Sequence, residues 1–233
     1  MRFEGKAAKC LGKDMFRIHV FGLEEYAAVA YFDTDTQLTG RGDFSQVMRC
    51  AASKSMFIST SGPMSPLNLG FMAFRPSRLL KEAAVRLAQL ANFNMVTGWG
   101  NAGFAPTNRW FTGAECGQGF VHTLLYKTAS AAVLQAVRET GALLPTAVQV
   151  DRCVWNHQHD GPCKNGGCSN IRLIHKEGWS KCKKMNVSEL SARRLAERFR
   201  CFEGVGSDSL DDDAGHDDEH IATIAEAIVQ GAA

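Results

Sequence analysis

Residues 67–91, LNLGFMAFRPSRLLKEAAVRLAQLA, decide the fold class. The first part is an apolar run that reads as a strand. Arg75-Pro76-Ser77 then opens a helix, in which Leu79, Leu80, Ala83, Ala84, Leu87 and Ala91 recur at helical spacing. That stripe needs a sheet to cover. Upstream, residues 26–33 (YAAVAYFD) and 56–61 (MFISTS, closed by Gly62-Pro63) read as two further short strands.

Downstream, residues 92–113 are rich in Gly, Asn and Trp and lack any period, which predicts a long loop. Helical patterns resume at 118–127 and 129–139, and IRLIH, 171–175, reads as one more strand. A helix is expected from about Ser188 to Phe202, with Asn186 and Glu189 spaced as N-cap and N3. The acidic stretch GSDSLDDDAGHDDEH reads as disordered, and HIATIAEAIVQ as a short terminal helix. Strands alternating with helices point to the α/β class.

The bulk numbers fit one sizeable core with a small appendage: 233 residues, 45% of them hydrophobic. A net charge of +2 and a pI of about 8.1 do not point to nucleic acid or an anionic membrane as partner. No apolar run approaches a membrane span, and MRFEGKAAKCLGKD lacks the apolar core of a signal peptide. Five of the eight cysteines, Cys153, Cys163, Cys168, Cys182 and Cys201, cluster late in the chain. Within DRCVWNHQHDGPCKNGGCSN, 151–170, Cys153, His157, His159, Cys163 and Cys168 offer zinc ligands at a spacing that matches no standard zinc pattern. Cys163 and Cys168 closing a small disulfide loop, or free thiols, are the favoured alternatives.

The chemistry is suggested by VAYFDTDTQL, 29–38, in which an apolar strand runs into Asp33-Thr34-Asp35. Strand ends are where α/β sheets bind ligands, and carboxylates two apart share a face of a regular strand. Such hard oxygen ligands suit Mg²⁺ or Mn²⁺, which in turn bridge to phosphate. On the tripeptide alone, a solvated strand end is the simpler reading. A haloacid-dehalogenase-like phosphatase, with Asp33 as nucleophile, is a second catalytic reading. Against it, Gln37 stands where that motif has Thr or Val.

The wider context, FRIHVFGLEEYAAVAYFDTDTQL, resembles the approach to the metal motif of glycosyltransferase family 8, the glycogenin-like transferases. Arg17, Ile18, His19, Leu23 and Tyr26 stand in register with that family's pattern, with Arg17 in place of its usual Lys. Three more stretches follow in the family's order. Asn68-Leu69-Gly70 resembles an Asn-Ser-Gly strand, Gly117-Gln118-Gly119 an Asp-Gln-Gly helix start, and His175 to Lys181 the spacing His-x-x-Gly-x-x-Lys. Gly117 departs from the family's acid at that position. Glu115 is nearby, and Ala114 stands where another acid is common.

The resemblance covers about residues 13–183 and implies an A-type nucleotide-sugar transferase fold, a Rossmann-like mixed sheet flanked by helices. It also implies that the N-terminal nucleotide-binding strands are lacking. Residues 1–185 would form the transferase domain, 186–204 a C-terminal helix and 205–233 a tail. Asp33, Asp35 and His175 would hold Mn²⁺ or Mg²⁺. Arg17, Gly70, Gly178 and Lys181 would join Asp33 in binding the donor, a UDP-sugar. Asn68 and Gln118 would hold donor hydroxyls or the acceptor, a glycan, protein or small molecule. Transfer with retention is implied. A catalytically inactive domain that only binds is the alternative. A homo-oligomer or a sheet-completing partner is expected to cover the shortened sheet. Golgi lumen and cytoplasm both remain open as locations.

Overall fold

A computed structural model describes residues 14–38, 44–104, 109–158, 163 and 171–175. The chain divides into Met1–Ala196 and Glu197–Ala233, and every described residue lies in the first unit. The helix from about Ser188, the acidic tail, Gly178 and Lys181 lie outside the described residues.

The fold is α/β, with a mixed four-stranded sheet in the order β1-β4-β3-β7. The strands are β1 (Val29–Phe32), β3 (Met56–Thr60), β4 (Asn68–Phe74) and β7 (Thr146–Gln149). β4 runs antiparallel to both β1 and β3, whereas β7 is parallel to β3. The β3–β4 register shifts at Ser59/Thr60. Residues 69–74 of β4 are all buried because helices cover both faces of this central strand.

Side chains alternate across β4, so Met72 and Phe74 face one layer and Phe71 the other. On the first face, Phe57, Met72 and Phe74 join the main core. That core takes in α2 (Arg78–Leu90), α3 (Gly117–Tyr126), α4 (Ala131–Thr140) and a 3-10 helix, Met15–Gly22. On the second face Phe71 stacks against Phe32 and Trp155, and Phe44 meets all three edge-on or tilted. Phe44 precedes α1 (Ser45–Lys54), which packs on β3 and β4. Trp155 closes the short helix α5 (Arg152–Trp155).

The helix expected to open at Arg75-Pro76-Ser77 is α2. Ser77 caps it, its Oγ accepting the Leu80 amide at 3.4 Å. The Arg78 amide donates to Glu24 Oε1 at 2.6 Å, so another free helix-start donor is satisfied. Leu80, Ala83, Ala84, Leu87 and Ala88 form its buried stripe. Arg86 of α2 also bonds Glu139 of α4 at the surface.

The aperiodic stretch 92–113 is not all loop. It contains a small hairpin of β5 (Phe93–Asn94) and β6 (Gly98–Trp99). Buried Trp99 donates from Nε1 to the Ala114 carbonyl at 2.9 Å, which ties the hairpin to the start of α3. The strand read at 171–175 is β8 (Leu173–His175), and it pairs with β2 (Thr36–Leu38) in a separate two-stranded sheet.

Candidate metal centre

Asp33 and Asp35 do not share a strand face as the two-residue spacing predicts. β1 ends at Phe32, and the chain turns at once, the Thr36 amide donating to the Asp33 carbonyl at 3.0 Å. The turn, rather than the pleat, brings the carboxylates together. β2 begins at Thr36, and its register sets Thr36 opposite His175. A ladder pair thus carries a histidine from far down the chain to the carboxylates.

One ligand atom each from Asp33, Asp35 and His175 lies within 4.8 Å of the others. His175 Nε2 and Asp35 Oδ1 are 3.2 Å apart. Around a Mg²⁺-sized ion with bonds of ~2.1 Å, adjacent ligands stand ~3 Å apart and opposite ones ~4.2 Å. The His175–Asp35 pair already stands at an adjacent-ligand distance, and the three atoms could surround a small divalent cation. The two carboxylates suit Mn²⁺ or Mg²⁺ and the imidazole suits later first-row metals, so the three residues could hold a divalent cation.

Asp33 is held firmly. Its Oδ1 accepts from Arg17 Nη2 at 2.7 Å and from the Tyr31 hydroxyl at 3.1 Å, and Arg17 Nε donates to the same hydroxyl at 3.0 Å. Its amide donates to the Gly70 carbonyl at 3.2 Å. Burial pushes the Asp33 carboxyl above its ordinary range, against the downward pull of Arg17 and Tyr31. Burial likewise pushes the Tyr31 hydroxyl up.

Behind His175 lies a polar chain. His175 Nδ1 is 2.8 Å from Asn156 Oδ1. Asn156 Nδ2 donates to Asn68 Oδ1 at 2.7 Å and to Thr60 Oγ1 at 2.9 Å. Asn68 Oδ1 also accepts the Gly70 amide at 2.8 Å. Both lone pairs of that oxygen are therefore engaged, and only the Asn68 amide nitrogen remains for another partner. Gly70 lies against the imidazole: a methyl there would come within 2.6 Å of His175 Nδ1.

Gln118, expected with Asn68 to hold donor hydroxyls or the acceptor, donates instead to the Thr112 carbonyl at 2.8 Å. Glu115 accepts from Trp110 Nε1 at 2.9 Å. The carboxylate beside Gly117 is Asp14, whose Oδ2 accepts the Gly117 amide at 3.3 Å and whose Oδ1 is 3.8 Å from Arg17. Ala114 is buried beside Phe104 and Phe111, where an acid would be costly. The structure thus brings together Arg17, Asp33, Asp35, Asn68, Gly70 and His175, and gives Gln118 a local partner.

Sequence reasoning missed Asn156, Tyr31 and Asp14. Tyr31 sits two residues before Asp33, a spacing that could have marked it. Asn156 carries no such mark, because its role depends on tertiary pairing. The cysteine reading is corrected in part: Cys153 and Cys163 form a disulfide, so Cys163 is not paired with Cys168. Cys50 and Cys116 are each engaged in a disulfide as well. No helix among the described residues is long and apolar enough to cross a membrane. Comparison with protein-family models finds no match, and comparison with curated proteins finds none.

Proposed function

We propose that this chain is a metal-dependent glycosyltransferase of the glycogenin-like type, built on an A-type nucleotide-sugar transferase fold. It moves a sugar from a nucleotide-sugar donor, UDP-linked, to an acceptor with retention. One observation carries the reading: Asp33, Asp35 and His175 converge to within 4.8 Å from two segments far apart in sequence. Bound there, Mn²⁺ or Mg²⁺ would neutralise charge on the diphosphate leaving group. Asp33 and Asp35 supply the oxygen ligands and His175 the nitrogen. Arg17 holds Asp33 in place and adds positive charge beside it. Gly70 keeps the floor of the site open for the imidazole. The disulfides favour an oxidising lumen over the cytoplasm.

A second reading keeps the metal site without turnover. It is favoured by Gly117 and by the bond that commits Gln118 to Thr112. The phosphatase reading gives no role to His175, whose contact with Asp35 counts against it.

The test is Mn²⁺ binding to the full chain, followed by electron paramagnetic resonance, with Asp35→Asn and His175→Ala as variants. Binding by the wild type that falls at least about tenfold in each folded variant supports the site. No binding, or equal binding by all three, overturns it. Release of UDP from UDP-sugars then separates the transferase from the binding-only reading.

A further inference from the structure

The amide proton of Gly70 fixes, through two asparagines, which nitrogen of His175 faces the carboxylates. A backbone N–H can only donate, so Asn68 must present its oxygen to it, 2.8 Å away. The atom of Asn156 that lies 2.7 Å from that oxygen must then be its NH₂ group. The same NH₂ reaches Thr60 Oγ1 at 2.9 Å, which uses its second proton. Asn156 is left with only its oxygen to offer His175 Nδ1, 2.8 Å away. An oxygen at that distance requires a proton on Nδ1.

We propose that Asn156 is a positioning residue that holds His175 as the Nδ1–H tautomer, so that the Nε2 lone pair points at Asp35 and is free to bind a divalent cation. The proposal rests on the metal-site reading above and deepens it. In the neutral imidazole, with Nδ1 holding the one ring proton, Nε2 and Asp35 Oδ1 face one another at 3.2 Å as two lone pairs, a repulsive contact that a cation between them turns into an attractive one. Two such atoms turned toward each other suit a cation between them. Metal-binding histidines commonly have the second nitrogen tied in this way.

The competing wiring comes from Gln158, whose Nε2 lies 3.1 Å from the same Nδ1. Were that amide the donor, Nδ1 would be unprotonated, and it would face the Asn156 oxygen, lone pair against lone pair, at the shorter distance. Asn156 is 1% exposed and its orientation is locked, so water cannot relieve that contact. Gln158 is described with no comparable lock and accommodates by presenting its oxygen.

The two wirings are distinguished by long-range ¹⁵N–¹H NMR of the metal-free full chain at about pH 9, well above the ordinary histidine range. Nitrogen shifts assign the tautomer of each imidazole, and His175→Gln identifies the signal. The expected result is Nδ1–H at His175. Nε2–H at His175 in the wild type overturns the proposal, whether or not the protein binds metal.

Asn156→Leu removes the acceptor. In that variant the tautomer is expected to relax toward Nε2–H and Mn²⁺ affinity to fall about 10–100-fold. A folded variant with unchanged tautomer and affinity also overturns the proposal. A wild type that is Nδ1–H but does not bind Mn²⁺ leaves the wiring standing and sinks the metal-site reading, so the two failures are distinguishable.

Discussion

Gly70 carries no side chain where the imidazole of His175 lies: an added methyl would come within 2.6 Å of Nδ1, 2.7 Å of Cε1 and 2.9 Å of Asn68 Oδ1. Nδ1 is the ring atom bonded to Asn156, and Asn68 Oδ1 accepts from the same asparagine. The expected result for Gly70→Ala is therefore a displaced imidazole, with Mn²⁺ affinity reduced at least about tenfold and stability lowered by ~1–3 kcal/mol. Mn²⁺ titration and urea unfolding measure the two effects. An alanine variant with unchanged affinity would show that His175 has room to move without cost to the site.

Arg17 and Asp33 form a half-buried pair at 2.7 Å. Burial raises the Asp33 carboxyl, and Arg17 opposes that rise. Because the folded value exceeds the unfolded one, this group contributes stability at low pH that is lost as pH rises through the folded value. Arg17→Met removes the opposing cation and enlarges the effect. The variant is expected to lose about 2 kcal/mol near neutral pH, with a smaller deficit near pH 5. Urea unfolding of wild type and variant at both pH values checks the sign.

His122, 2% exposed, stacks on Tyr126 and meets Phe111 edge-on. Burial, and secondarily the charge of Lys127, pushes its imidazole down from 6.5 to about 4. The folded value is below the unfolded one, so the stability it contributes is full above pH 6.5 and is lost as pH falls toward about 4. The gap corresponds to about 3 kcal/mol. Acid-dependent unfolding of wild type and His122→Phe is expected to show this slope in the wild type only.

The Cys153–Cys163 bridge spans 10 residues and begins three residues before Asn156. Closing a loop of that length stabilises the fold by about 3 kcal/mol in the chain-entropy account. The expected outcome for the double variant Cys153→Ser/Cys163→Ser is a loss of that order, together with weaker Mn²⁺ binding as α5 and Asn156 loosen. Thermal melts and the metal titration measure both.

The α/β class was legible because β4 and α2 announce themselves locally, one by an apolar run and the other by a 3.6-residue stripe behind Ser77. The strands that escaped the reading are short or weakly patterned. β7 has exposed ends, and the two-residue strands β5 and β6 are held by Trp99 and its bond to Ala114, a tertiary contact. At the site, Asp33, Asp35 and His175 were named from the sequence and meet in the structure. What brings them together was not legible: the turn at Asp33–Thr36 and the Thr36–His175 register replace the shared strand face. Asn156 owes its role to the orientation of Asn68, which no spacing encodes.

The most direct test of the account is thermal unfolding of the full chain with UDP, with and without Mn²⁺, in wild type and Asp35→Ala. A ligand at 100 times its Kd adds about 2.7 kcal/mol to the native state, a rise in Tm of roughly 5–10 °C for a domain of this size. That rise is expected in wild type only when Mn²⁺ is present, and is expected to be lost in Asp35→Ala. Equal melting of the folded wild type under all conditions, or an equal shift in the variant, would contradict a nucleotide-sugar site built on Asp33, Asp35 and His175.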